Sequence, residues 1–241
     1  NMKYFIDLCY ENFVKLAKLR KAGHASLSIQ GKQKQVICVN AAVLIKMSKN
    51  ALLGLGKELI RCAHNNNMIN KHWHVEVSRQ GSGLVQTLGL FLIPTSIEFI
   101  MNFSGKAITN SPGTHEAVRK YEFEINRIWG FLDDFEQTDD NVAEVQAFDK
   151  YHINISDQLR YVLLSLDTEA MIGFGTELIR LAHNFEEGKE VKIIPSSKEN
   201  GAQQSMGIFL TPESCELVIK CENFKPIDTY IDETKSEMDK N

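Results

Sequence analysis

The chain has 241 residues, of which 43% are hydrophobic, 24% charged and 9% aromatic, with a formal net charge of −4. These proportions belong to a globular protein and exclude a collagen-like, coiled-coil or wholly disordered chain. A chain of this length buries about 70% of its unfolded surface, so neither a disulfide nor a structural metal is needed to hold it.

The five cysteines, Cys9, Cys38, Cys62, Cys215 and Cys221, are odd in number and form no CxxC pair. That pattern signals neither a disulfide framework nor a thiolate zinc site, and the expected compartment is a reducing cytoplasm. No uninterrupted apolar run approaches the roughly 18 residues of a spanning helix, so no membrane is expected.

In chain order, residues 1–34 read as a basic amphipathic helix followed by a first strand. The helix is expected over 2–22, with Phe5, Leu8, Cys9, Phe13, Leu16 and Leu19 on one face and Gly23 as its stop. A first repeat unit is expected over 35–115. It opens with strands at 35–39 and 43–47, joined as a hairpin through Asn40-Ala41. A helix capped by Ser48 follows, with Leu52, Leu55, Leu59 and Cys62 turned inward. Further strands fall at 72–77, 88–93 and 97–103, with a turn at Pro94. Residues 116–149 read as an acidic linker. The second unit, 150–227, repeats the pattern: strands at 151–155 and 161–166, a helix capped by Thr168, strands at 190–194, 206–211 and 215–221, and a turn at Pro212. Residues 228–241 read as a frayed acidic tail. The fold class expected is α+β: two tandem β-β-α-β-β-β units, each an antiparallel sheet with a helix on one face, plus the N-terminal helix.

The repetition is explicit. Residues 51–65 match residues 170–184 at ten of fifteen positions, and residues 89–98 match 207–216 at six of ten. Both helices keep two glycines, Gly54 and Gly56 in one, Gly173 and Gly175 in the other. A mid-helix glycine costs about 1 kcal/mol relative to alanine, so a close backbone approach to the sheet is expected there. The helices end in His64-Asn65 and His183-Asn184, where histidine suits the dipole and asparagine tolerates a left-handed cap.

Charge is uneven. Residues 122–149 carry nine acids against Arg127, a balance of −8, whereas residues 1–35 carry +5. Asp133, Asp134, Glu136, Asp139, Asp140 and Glu144, beside Trp129 and Phe131, would suit a basic protein partner; a solvated connection is the plainer reading. A nucleic-acid partner is not expected, because no recognisable module accompanies the basic segment.

No P-loop, GxGxxG, GxSxG or HExxH occurs, and no cofactor is expected. His64, His72 and His74 are close in sequence, and period-two spacing puts the last two on one strand face. They offer an alternative reading as a metal-dependent hydrolase or nuclease. Against it, the second copy has Glu190 and Lys192 at the two strand positions, and a lysine would repel a cation. Cys62 is replaced by Leu181, as at a core position rather than a nucleophile. A ligand-binding scaffold with a cleft between the repeats is a further alternative.

The helix carrying Leu55, Leu59, Ile60 and Ala63, repeated as Leu178, Ile179, Leu181 and Ala182, is followed by Gly207-Ile-Phe-Leu-Thr-Pro and Glu216-Leu-Val-Ile219. This unit resembles a bacterial immunity-protein domain, over roughly 35–104 and 151–224. The resemblance implies a cytoplasmic, non-catalytic inhibitor that binds and occludes a cognate toxin of a contact-dependent inhibition system. Such toxins are often basic nucleases, and the acidic residues named above would then face the toxin.

Overall fold

A strand, not a helix, begins the chain. In the computed structural model β1 (Met2–Asp7) pairs antiparallel with β7 (Lys120–Ile125), from Met2 opposite Ile125 to Asp7 opposite Lys120. The burial period is two: Tyr4, Ile6 and Leu8 are buried from one strand, Phe123 and Ile125 from the other. The helical spacing of Phe5 and Leu8 loses to this alternation because β7 supplies a partner for it. The structure describes residues 2–8, 23–33, 35–36, 40–78, 86–109, 120–125, 141–199, 201–202 and 204–238. The rest of the expected first helix, with Cys9, lies outside them.

The first half continues with β2 (His24–Gly31), β3 (Ala42–Met47), α1 (Lys49–Ala63), β4 (His72–Val75), β5 (Phe91–Leu92) and β6 (Glu98–Ser104). The second half follows β7 with β8 (Val142–Phe148), a 3-10 turn (Ser156–Gln158), β9 (Leu159–Asp167), α2 (Thr168–His183), β10 (Glu190–Ile193), β11 (Phe209–Leu210) and β12 (Glu216–Cys221). The architecture is α+β, with the sheets mixed rather than purely antiparallel. One sheet has the order β10-β12-β3-β8-β5, the other β11-β2-β9-β6-β4. Each draws on both halves. β3 lies between β12, parallel, and β8, antiparallel. β9 lies between β6, parallel, and β2, antiparallel.

The expected hairpins therefore do not form. The partner of β9 is β2, whose Ala25, Leu27 and Ile29 alternate over a longer run than residues 35–39 offer. Of that expected strand, Val36 makes an isolated bridge to Gln30, and residues 37–39 lie outside the described set. Residues 151–155 form a loop, in which Asp149 Oδ1 accepts from the backbone N–H groups of Tyr151 and Ile153. The stretch called a linker contributes β7 and β8 to the sheets. The tail expected to fray forms α3 (Ile227–Met238), anchored by Ile227 against Phe91, Ile93 and Val142.

α1 packs on β3 and β8, α2 on β9 and β2, and the two helices pack most extensively on each other. Both are buried nearly all round. The glycines explain the approach. A Cβ at Gly56 would lie 2.7 Å from the Gly175 carbonyl oxygen, and one at Gly175 would lie 2.6 Å from that of Gly56. At Gly173 it would meet the Gly207 carbonyl oxygen at 2.2 Å. The close approach is thus to the opposite helix and to a turn, not to a sheet face. Ser48 caps α1 as expected, accepting from the Ala51 N–H at 3.0 Å. At α2 the cap is Asp167, which accepts from the Ala170 N–H at 2.7 Å. Thr168 is the first helical residue, and its hydroxyl donates to the carbonyls of Ser104 and Lys106. The left-handed cap does not form: Asn184 has φ −118°.

Candidate functional site

The helix ends carry the densest polar chemistry. On α1, Arg61 Nη1 donates to Glu58 Oε1 at 2.5 Å, and its Nε donates to the Glu124 carbonyl at 3.2 Å. On α2, Arg180 Nη1 donates to Glu177 Oε1 at 2.6 Å, and its Nε and Nη2 both donate to the Asp7 carbonyl, at 2.8 and 2.6 Å. The i, i+3 pairs that recur in the sequence are thus more than intrahelical: each arginine ties its helix to one strand of the β1–β7 ribbon. The terminal histidines complete this junction. The His64 ring lies 5.5 Å from the Tyr4 ring, and the His183 ring 4.8 Å from the Tyr121 ring.

Burial makes these groups structural. The Arg180 side chain is 2% exposed and that of Glu58 is 0% exposed. Burial pushes the Glu58 carboxyl up to about 7, against the opposing pull of Arg61, and leaves its Oε2 without a hydrogen bond among the described residues. Burial also raises the Cys62 thiol well above its ordinary value, the opposite of what an activated nucleophile needs.

The histidines of the metal reading are separated by role. His64 is buried at the end of α1, with Nδ1 2.8 Å from the Ile108 carbonyl oxygen. His72 and His74 lie on the exposed side of β4, with rings 5.4 Å apart, and His74 Nδ1 is 2.7 Å from Glu98 Oε1. Among the described residues no three His, Cys, Asp or Glu side chains come together as a metal site.

Each sheet turns one face to the helices and leaves the other accessible. On the first sheet Val43, Ile45 and Met47 are buried, while Leu44 and Lys46 are half-buried on the opposite face. Register aligns Lys46 with Glu144 and Lys220, and Leu44 with Gln146 and Val218. On the second sheet the accessible face aligns His74, Ile100, Leu163 and Ser28 across four strands.

Of the eight residues expected to contact a partner, Asp133, Asp134, Glu136, Asp139, Asp140, Trp129 and Phe131 lie outside the described residues. Glu144 lies on β8 with a side chain 10% exposed. Its carboxylate receives Lys46 Nζ at 2.9 Å, the Thr95 hydroxyl at 3.1 Å and Gln146 Nε2 at 3.0 Å. It is committed to its own sheet. The spacing that groups it with the other acids carries no sign of this, because its partners are distant in sequence.

Compared with known families, residues 42–103 match the model described as Immunity protein 32. The span runs from the start of β3 through α1, β4 and β5 to Phe103 of β6. The match spans 62 of the 241 residues and is a likeness to that family over this stretch. No curated protein and no solved structure matches the chain.

Proposed function

We propose that this chain is a cytoplasmic immunity protein that binds a contact-delivered bacterial toxin, a nuclease, and occludes its active site without catalysis of its own. The match of residues 42–103 carries this reading. It is supported by the fate of the buried ionisable groups: Glu58, Arg61, Glu177 and Arg180 are spent on holding the helices to the ribbon. In this proposal Asp133, Asp134, Glu136, Asp139 and Asp140 meet the toxin's basic substrate groove, with Trp129 and Phe131 as apolar anchors. Glu144 supports the adjoining strand. The two repeat units act as one binding body.

The test is inhibition in solution. The C-terminal domain encoded directly upstream of this chain's gene is purified and its nuclease activity followed as this chain is added. Stoichiometric inhibition is expected, with association slowed by salt. Undiminished toxin activity at saturating chain refutes the reading. Reversal of Asp133, Asp134, Asp139 and Asp140 to Lys is expected to slow association at low salt; an unchanged rate removes the acidic segment from the interface.

A further inference from the structure

An open cleft of about 510 Å³ lies at one end of the first sheet. Its lining comes from three connections: Asn40–Ala42 leading into β3, Asp149–His152 after β8, and Pro212–Glu216 leading into β12. Pro195, just past β10, closes the set. Four large hydrophobic side chains are exposed among the described residues, and three of them are next in sequence to residues of this lining. Tyr151 at 69% exposed and Ile153 at 59% stand on either side of His152, and Ile194 at 44% precedes Pro195. Scattered exposed hydrophobics are ordinary, whereas a concentration at a concave site is the mark of an interface.

The other half of the chain sharpens the point. At the offset of 118 residues that relates 89–98 to 207–216 and the bridge Gln30–Val36 to Phe148–Asn154, Tyr151, Ile153 and Ile194 correspond to Gln33, Gln35 and Glu76, and Glu213 corresponds to Thr95. A requirement of the shared framework would place apolar residues in both halves. Tyr151, Ile153 and Ile194 are apolar where their counterparts are polar, although Val36 is an exposed apolar side chain in the matching loop of the other half and Glu216 keeps its counterpart Glu98, so the framework does not ask for these three at these positions.

The charge in the cleft selects the occupant. Asp149, Glu213 and Glu216 line it together with Lys150 and His152, and neither Glu213 nor Glu216 has an ion pair among the described residues. One oxygen of Asp149 already accepts two backbone N–H groups, and Lys150 Nζ sits 4.9 Å from the centre of the Tyr151 ring. Carboxylates inside and aliphatic or aromatic side chains at the rim match a long cationic side chain, whose methylenes pack while its head is paired.

We infer that this cleft is a docking surface for the toxin of the preceding proposal, on which the inference rests, and that it receives an arginine or lysine from a toxin loop between Tyr151, Ile153 and Ile194 and against Glu213 and Glu216. The residues it uses are other than Asp133, Asp134, Glu136, Asp139 and Asp140.

The experiment measures binding of the full chain to the catalytically inactivated C-terminal domain encoded directly upstream, by calorimetry at two salt concentrations. Glu213→Lys/Glu216→Lys and Tyr151→Ser/Ile153→Ser are compared with the wild type and with the acidic-segment reversal. Each cleft variant is expected to weaken binding by about thirtyfold or more, as truncation of an interface anchor does. Tyr151, Ile153 and Glu213 are exposed and Glu216 is half-buried at the start of β12, and an unchanged unfolding midpoint excludes misfolding as the cause. Wild-type affinity in both cleft variants overturns the inference while leaving the immunity reading standing. No binding by the wild type sinks that reading instead. A wild-type dimer in sedimentation that Tyr151→Ser/Ile153→Ser dissolves also overturns it, because the occupant is then a second copy. So does a tightly held small molecule that these substitutions release.

Discussion

Replacing Gly175 with alanine pits two effects of opposite sign against each other. Alanine favours a helix interior over glycine by about 1 kcal/mol, so propensity alone makes Gly175→Ala stabilising. The structure says otherwise. The added Cβ would stand 2.6 Å from the Gly56 carbonyl oxygen, 2.9 Å from Ile60 Cγ1 and 3.3 Å from Leu59 Cβ. An unstrained carbon–oxygen contact is about 3.3 Å, so the helices must part by about 0.7 Å. The obstacle is backbone, which cannot rotate away as a side-chain end does. A gap of that size forfeits a quarter to a half of the dispersion energy along the contact, and overpacking of a filled core costs about 1–3 kcal/mol. With the larger value and the propensity gain set against each other, the net loss is about 2 kcal/mol, or a fall in Tm of roughly 4–8 °C. Urea unfolding followed by circular dichroism reads this directly. Gly56→Ala should behave alike, since its Cβ would meet the Gly175 carbonyl oxygen at 2.7 Å. The double variant should lose less than the two losses added, because one parting of the helices accommodates both methyls. A Gly175→Ala protein more stable than the wild type would refute the close crossing.

Three further outcomes are expected. Glu58 has its carboxyl raised to about 7 by burial, against an ordinary 4.5. A raised acid holds its proton more tightly when folded, so its contribution to stability is greatest below pH 4.5 and is lost as pH rises to about 7, by about 3 kcal/mol at most. Unfolding free energies at pH 5 and 8 should therefore diverge in the wild type and converge in Glu58→Gln; an equal pH dependence in both would count against this. Arg180→Met should destabilise by about 3–5 kcal/mol, because it strands the buried Glu177 carboxylate. Much of that should return in Glu177→Leu/Arg180→Met, and a double variant no better than the single would show that the pair is not the cause. Residues 1–119 expressed alone should not form a folded monomer, since both neighbours of β3 lie in the other half. Gel filtration and circular dichroism should find the fragment unfolded or paired with a second copy, and a folded monomer would contradict the interleaved sheets.

Local signals in the sequence were legible and long-range ones were not. Both long helices follow from the apolar stripe, and the Ser48 cap from a hydroxyl three residues before the N–H it accepts from. The turns at Pro94 and Pro212 were legible for the same reason. The expected hairpins do not form because nearness in sequence is not nearness in the sheet. β2 and β3 follow one another in the chain yet lie in different sheets, each paired across a separation of more than 90 residues. Over residues 2–8 the expected helix gives way to a strand because Phe5 and Leu8 fit a helical period, while Tyr4, Ile6 and Leu8 fit a strand period, and only the presence of β7 decides between them. The acids grouped by composition were also not equivalent. Glu144 belongs to a strand and pairs with Lys46, a fact set by register rather than by local charge.

The ten identities shared by residues 51–65 and 170–184 now have a physical meaning. Gly56 and Gly175 meet across the helix pair, and Ile60 and Ile179 pack against those glycines. Glu58 with Arg61, and Glu177 with Arg180, hold the helices to the ribbon, while His64 and His183 meet its tyrosines edge-on. Within residues 51–65 and 170–184, identity therefore concentrates where the two halves touch. A residue at that junction must satisfy its own helix and its counterpart's at once, so a change on one side requires a matching change on the other. At the cleft the coupling is partial: Pro212, Ser214 and Glu216 keep their counterparts Pro94, Ser96 and Glu98, while Tyr151, Ile153, Ile194 and Glu213 do not. At the latter four the halves differ, with Tyr151 against Gln33 and Glu213 against Thr95. Partner recognition is free to specialise only where the internal symmetry imposes nothing. In this chain that reasoning leads away from the helix motif that makes the repeat visible, and toward the surfaces on which the two halves disagree.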